Sequence, residues 1–190
     1  MKHMAAVAAS LACLAACGGS GSGKDGTPGN GGVIVPFEDR VRDLDAAATR
    51  LADLDFTDRR PASGTAVYRG HLGATAVIAG AAPDFVVAQV EMTARFSSGT
   101  LDGAFTQLGS ADGTVTGSGA FEAGTFGRTG IDSGVSGTLR KGGTVHAIAG
   151  TFRGDFLGAD ARGIGGGIET TLSRNGAPSG RLDGELWAER

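Results

Sequence analysis

Cys17 is the residue whose chemistry is most sharply implied by its neighbours. It closes the run Leu14-Ala15-Ala16-Cys17, which follows Lys2 and a largely apolar stretch from Met4 to Ala16. A short positive segment, an apolar segment and small residues directly before a cysteine form a secretory signal ending in a lipobox. The chemistry expected there is a diacylglyceryl thioether on the Cys17 sulfur, with cleavage of the peptide bond before it. The apolar run is too short to cross a ~30 Å hydrocarbon core as a retained helix. Cys13, preceded by Ser10-Leu11-Ala12, fits the pattern poorly.

Other candidate chemistry is sparse. Beyond the signal the histidines are His71 and His146, with no cysteine or tight carboxylate cluster beside either. That is no zinc spacing. Strand alternation points His146 inward with Ile148, Phe152 and Phe156, as a hydrogen-bonded interior residue, and His71 outward with Val67 and Arg69. Gly134-Val135-Ser136-Gly137 is one residue short of a nucleophile elbow and lies in a predicted strand. Gly163 to Gly167 lacks the Lys-Ser/Thr ending and the helix of a phosphate loop. Glu91 and Arg95 fall on an outer face, and Asp155, Asp160 and Arg162 flank a turn, where Asp is common for backbone reasons. Trp187 falls on a polar face, packed against the preceding helix or a loop, or serving as a contact anchor. The expectation is therefore no enzyme, no catalytic or metal residue and no cofactor.

Composition narrows the setting. Once Cys17 is lipidated, no thiol remains for a disulfide, so packing alone must stabilise the domain. Lys and Arg number 17 against 20 Asp and Glu, which argues against nucleic acid as a partner. Glycine supplies 35 of 190 residues, against a usual ~7%, and it has two uses. Gly18 to Gly32 is Gly- and Ser-rich without apolar periodicity and reads as a tether, with residues 1–16 as signal peptide and 17–32 as linker.

Residues 33–60 form a helical segment in this reading. Phe37, Val41, Leu44, Ala48 and Leu51 recur at helical spacing behind Pro36, Glu38 and Asp39. Residues 61–190 then switch to period two. Eight strands are predicted: Thr65–Leu72, Phe85–Phe96, Thr100–Leu108, Gly113–Ala123, Gly134–Arg140, Thr144–Leu157, Ala161–Ser173 and Arg181–Ala188. Short Gly-, Asp- or Asn-bearing connections such as Lys141-Gly142-Gly143 and Asn175-Gly176 make them consecutive hairpins. The fold expected is all-β, an eight-stranded antiparallel up-and-down β-barrel preceded by a short amphipathic helix. A two-sheet sandwich is the alternative. Gly103, Gly117, Gly137, Gly150 and Gly184 each lie two residues from a large apolar residue, so they should face the interior beneath large side chains.

Three segments carry a family resemblance. Pro61-Ala62-Ser63-Gly64-Thr65-Ala66-Val67-Tyr68-Arg69-Gly70, the strand pair from Val86 to Phe105, and the stretch from Gly150 to Ala161 together resemble the barrel of transferrin-binding protein B-like surface lipoproteins. Leu157, Ala159 and Gly163-Ile164 depart from that pattern, and the chain has one barrel where the full receptors carry two lobes. The resemblance implies a non-enzymatic outer-membrane or surface lipoprotein, held by a lipid or palmitate anchor on Cys17. It would act as a binding module in nutrient or iron acquisition, with a host protein, an envelope protein or a solute as partner. A structural envelope lipoprotein and a lipocalin-like small-ligand carrier remain alternatives.

Overall fold

A computed structural model describes residues 34–57, 59–127 and 130–190. The expected signal peptide, Cys17 and the expected tether lie outside the described residues. One helix, α1 (Phe37–Ala52), precedes eight strands: β1 (Thr65–Ile78), β2 (Asp84–Arg95), β3 (Thr100–Ser110), β4 (Val115–Gly127), β5 (Gly130–Lys141), β6 (Thr144–Leu157), β7 (Gly163–Arg174) and β8 (Ala177–Glu189). Each strand pairs antiparallel with the next, and β8 pairs back onto β1 from Arg69↔Glu189 to Ile78↔Gly180, closing the barrel. Closure removes free edges, and the sandwich alternative falls.

Six of the eight strands differ in length from the sequence expectation, β1, β5, β7 and β8 among them. β1 runs on to Ile78 because Ala74, Ala76 and Ile78 continue its inward row, although the alanines are too small to register as a strand signal. β7 starts at Gly163 because Asp160 and Ala161 both take φ 57° and hold a turn instead. The Tyr68 hydroxyl pins that turn by donating to the Ala161 carbonyl at 2.7 Å. β8 begins at Ala177, directly after Asn175 and Gly176. These adopt φ 51° and 80°, the doubly left-handed geometry of a two-residue hairpin.

The interior is filled. Phe105, Phe121 and Phe152 stack edge to face with centroids 5.8 and 5.7 Å apart. Nearer one mouth, Phe156 gathers Tyr68, Phe96 and Phe126 around it. The Arg60 guanidinium covers this cluster, 5.3 Å from the Phe126 ring and 5.8 Å from Phe156, a cation–π lid. Leu72, Met92, Leu101, Leu139, Ile164 and Ile168 are fully buried with them. Near the other mouth His146 is buried, its Nδ1 2.7 Å from the Ser179 hydroxyl, as its inward phase predicts.

The inward glycines have a different physical reason from the one expected. At Gly103, Gly137, Gly150 and Gly184 a Cβ would first strike the backbone of the adjoining strand; among these four, a large side chain, that of Met92, borders the space only at Gly103. The barrel is coiled so tightly that the strands themselves need the room. Large side chains do occupy that room at Gly119, beneath Phe105, and at Gly154, beneath Phe152, with Leu108 bordering Gly117.

Helix α1 lies on the outer wall, over β1, β2, β7 and β8. Its buried row is Arg40, Leu44, Ala47 and Leu51, rotated from the stripe read in the sequence. Val41 and Ala48 are only half-buried. The wall meets the helix with glycine: Leu44 fills the place of a side chain on Gly73, and Leu51 that on Gly163. Arg40 anchors the N-terminal end. β2 shifts register between Val87 and Gln89, and β3 does so between Phe105 and Leu108, around Gln107 at φ 53°. Bulges leave backbone groups outside the ladder. Arg40 Nη1 donates to both the Val87 carbonyl, at 2.8 Å, and the Gln107 carbonyl. Arg50 closes the other end, its Nε and Nη2 donating to the Glu189 carboxylate at 3.1 and 3.0 Å.

His71 points outward as predicted, but it is half-buried on the wall that the helix covers. Burial pushes its pKa down; Asp43 opposes that shift and Arg40 adds to it. The unfolded chain therefore binds a proton more readily than the folded one, and stability must rise with pH through this window. Full stability is expected above the unfolded histidine value of about 6.5, with loss as pH falls below it. Urea midpoints between pH 8 and pH 5 should show this slope, and His71→Gln should flatten it.

Candidate functional site

The outer wall carries a concavity on the side away from β2 and β3. Alternation places Arg153, Asp155 and Leu157 of β6 outward, then Gly163, Gly165 and Gly167 of β7, then Glu185 and Trp187 of β8. Register sets them in cross-strand rows. One row runs Asp132, Arg153, Gly167, Glu185. The next runs Asp155, Gly165, Trp187, and continues to His71.

β7 therefore offers bare backbone between two strands that bear side chains. Adjacent strands are spaced ~4.8 Å, so the flanking strands lie about 10 Å apart across it. The three glycines meet different fates. Gly163 lies under Leu51 of the helix, Gly165 lies under the Trp187 ring and Leu157, and Gly167 opens to solvent. A groove of about 680 Å³ results, with Phe56, Asp132, Arg153, Asp155, Glu185 and Trp187 among its walls. That volume falls within the range of ligand sites.

Phe56 stands at the rim with its ring 77% exposed. Its backbone is fixed by a bridge to Leu157, and the next amide, of Thr57, donates to the Phe156 carbonyl at 3.0 Å. An aromatic ring held in water by an ordered backbone is a contact group with little ordering left to lose. Trp187 is half-buried. Its ring lies on the barrel wall over Gly165, beside Leu157, and also faces the groove. Arg153 Nε lies 3.7 Å from Asp132 Oδ2, both largely exposed, a weak pair in water. Asp155 and Glu185 have no hydrogen-bond or ion-pair partner among the described residues.

The residues considered for catalysis do not converge. His146 is inside near one mouth, paired to Ser179, while His71 lies on the outer wall. Ser136 lies within β5, and Gly163–Gly167 is strand, not a loop. Glu91 pairs with Arg69 at 2.9 Å, and Arg95 with Asp102, both on the outer face. Among the described residues no group of three His, Cys, Asp or Glu side chains could hold a metal, and no helix is long and apolar enough to cross a membrane. Sequence reasoning missed the groove. Its signal was the alternate spacing of Gly163, Gly165 and Gly167, three outward positions without side chains on one strand.

No protein-family model and no curated protein matches this sequence. Solved structures similar to it include two mutants of the vaccine antigen transferrin binding protein B from Haemophilus parasuis. The first is 16% identical with a TM-score of 0.47, over 72% of this chain and 27% of that one. The second is 17% identical with a TM-score of 0.45, over 72% of this chain and 29% of that one. The chain thus spans under a third of the length of either structure.

Proposed function

We propose that this chain is a non-enzymatic lipoprotein, anchored through Cys17 at the outer membrane, that works by binding a partner in the groove between β6 and β8. The observation that supports this reading is the pairing of a filled interior with an ordered outer concavity bordered by the exposed Phe56 and the half-buried Trp187. A barrel packed with Phe105, Phe121 and Phe152 has its useful surface outside, which counts against the small-ligand carrier. The sequence resemblance of Pro61–Gly70 and Gly150–Ala161 points the assignment toward nutrient or iron acquisition.

Two variants test the two halves of the proposal. Cys17→Ser should abolish labelling by radioactive palmitate and release the protein from the membrane fraction; unchanged fractionation would refute the anchor. Gly167→Leu fills the groove where a Cβ would meet only the Gly184 carbonyl oxygen, at 3.8 Å. It should leave thermal unfolding unchanged while removing at least nine-tenths of any partner that the wild-type protein retains from its natural surroundings. Equal retention by this variant would rule the groove out as the contact face.

A further inference from the structure

We infer that the groove receives a cationic side chain, arginine or lysine, presented by a partner protein and seated over Gly167, with Trp187 and the carboxylates of Asp155 and Glu185 among its walls. This rests on the groove being the contact face and specifies the partner's chemistry. Charge is the first argument. Among the described residues the walls carry three carboxylates, Asp132, Asp155 and Glu185, and one guanidinium, that of Arg153, which already lies beside Asp132. Among the described residues the other two have no counter-charge, and Asp155 is half-buried, where pairing gains more than at a fully exposed site.

Shape is the second argument. The floor is one strand wide, bordered by Arg153 and Asp155 on one side and Glu185 and Trp187 on the other. Of its glycines only Gly167 is open, so the trench admits the end of one long side chain and not a helix of ~10 Å diameter. An unbranched aliphatic stem can lie on glycine backbone, with its charged head reaching the carboxylates. The aromatic groups are the third argument. An indole is the strongest aromatic partner for a cation, and the Trp187 ring is held at the groove by its packing over Gly165 and Leu157. Phe56 adds a second ring at the rim. A neutral saccharide could stack on the same indole, yet would leave both carboxylates uncompensated. An acidic ligand would be repelled.

Trp187 is the single tryptophan in the chain, so intrinsic fluorescence reports directly on the groove. The full-length protein in detergent should be titrated with a pentapeptide carrying two arginines, its glutamate counterpart and a neutral disaccharide. A saturable change is expected with the arginine peptide alone. Its affinity should fall at least tenfold in Asp155→Asn/Glu185→Gln, and should weaken as salt is raised, while thermal unfolding confirms that the variant is folded. Saturation by the disaccharide or the glutamate peptide at the same or lower concentration would overturn the inference. So would an unweakened double variant or the absence of saturation by the arginine peptide. In each of those cases the broader reading survives if Gly167→Leu still abolishes partner retention, and fails with it if retention is unchanged.

Discussion

Gly150→Val is expected to destabilise the barrel by about 3 kcal/mol, lowering the melting temperature by roughly 6–12 °C. Val suits a strand better than Gly, so propensity alone predicts the opposite sign. Geometry decides. A Cβ at position 150 would overlap the Glu169 carbonyl oxygen and come within 2.6 Å of the Thr170 Cα. Both are backbone atoms of β7, and Gly150 faces Thr170 in the register of the ladder. A side chain could turn aside, but a paired strand can yield only by opening its ladder. The comparison is Thr151→Val on the adjoining outward position, expected within about 0.5 kcal/mol of wild type. Urea denaturation of both variants checks this, and a neutral Gly150→Val would mean that the coiling of β6 against β7 is looser than described.

Arg40→Met should cost about 2–4 kcal/mol. Methionine keeps an apolar stem of similar reach, so the loss isolates the guanidinium. Two carbonyls released by neighbouring bulges, those of Val87 and Gln107, lose the donor they share. Buried acceptors without a partner are expensive. Arg40 is 7% exposed, and its Nε has no hydrogen-bond partner among the described residues. Burial accordingly pushes the pKa of the guanidinium down, so part of the pair's gain is offset by desolvation. The variant should also release the N-terminal end of α1, where the Arg40 guanidinium lies 5.7 Å from the Phe37 ring. Thermal unfolding measures the first effect, and faster amide exchange over residues 37–44 the second. Amide protection unchanged in that turn would show that Leu44 and Leu51 hold the helix alone.

Much of the architecture was legible because period-two patterning is local. Val86, Ala88, Val90, Met92 and Ala94 specify a strand and its buried face without reference to any other segment. Short turns such as Asn175-Gly176 then leave neighbouring hairpins as the simplest connection. What was not legible depends on pairs of elements. Gln107 takes a left-handed backbone without being Gly or Asn, because the bulge is imposed by β2 and β4 on either side. Arg40 reads as one charged residue among several on a helix, and its burial follows only from carbonyls contributed by two strands. The outward glycines of β7 have no apolar phase of their own to reveal them. Their effect is a missing ridge, visible only once β6 and β8 stand on either side. Trp187 was placed on the correct face, while its role at the groove required knowing that Gly165 lies beside it.

The order of strands around the barrel also bears on how the chain assembles. Seven of the eight pairings join neighbours in sequence, whereas the seam from Arg69↔Glu189 to Ile78↔Gly180 joins the first strand to the last. Hairpins close loops of a few residues; the seam must close a loop containing almost the entire domain, at an entropic cost that grows with the logarithm of its length. Until then β1 and β8 are both unpaired edges, open to strands of other molecules. Gly70, Gly180 and Gly184 lie on this seam, each against the backbone of the opposing strand. Their lack of side chains lets the first and last strands approach across this long-range contact, the class of contact that slows folding.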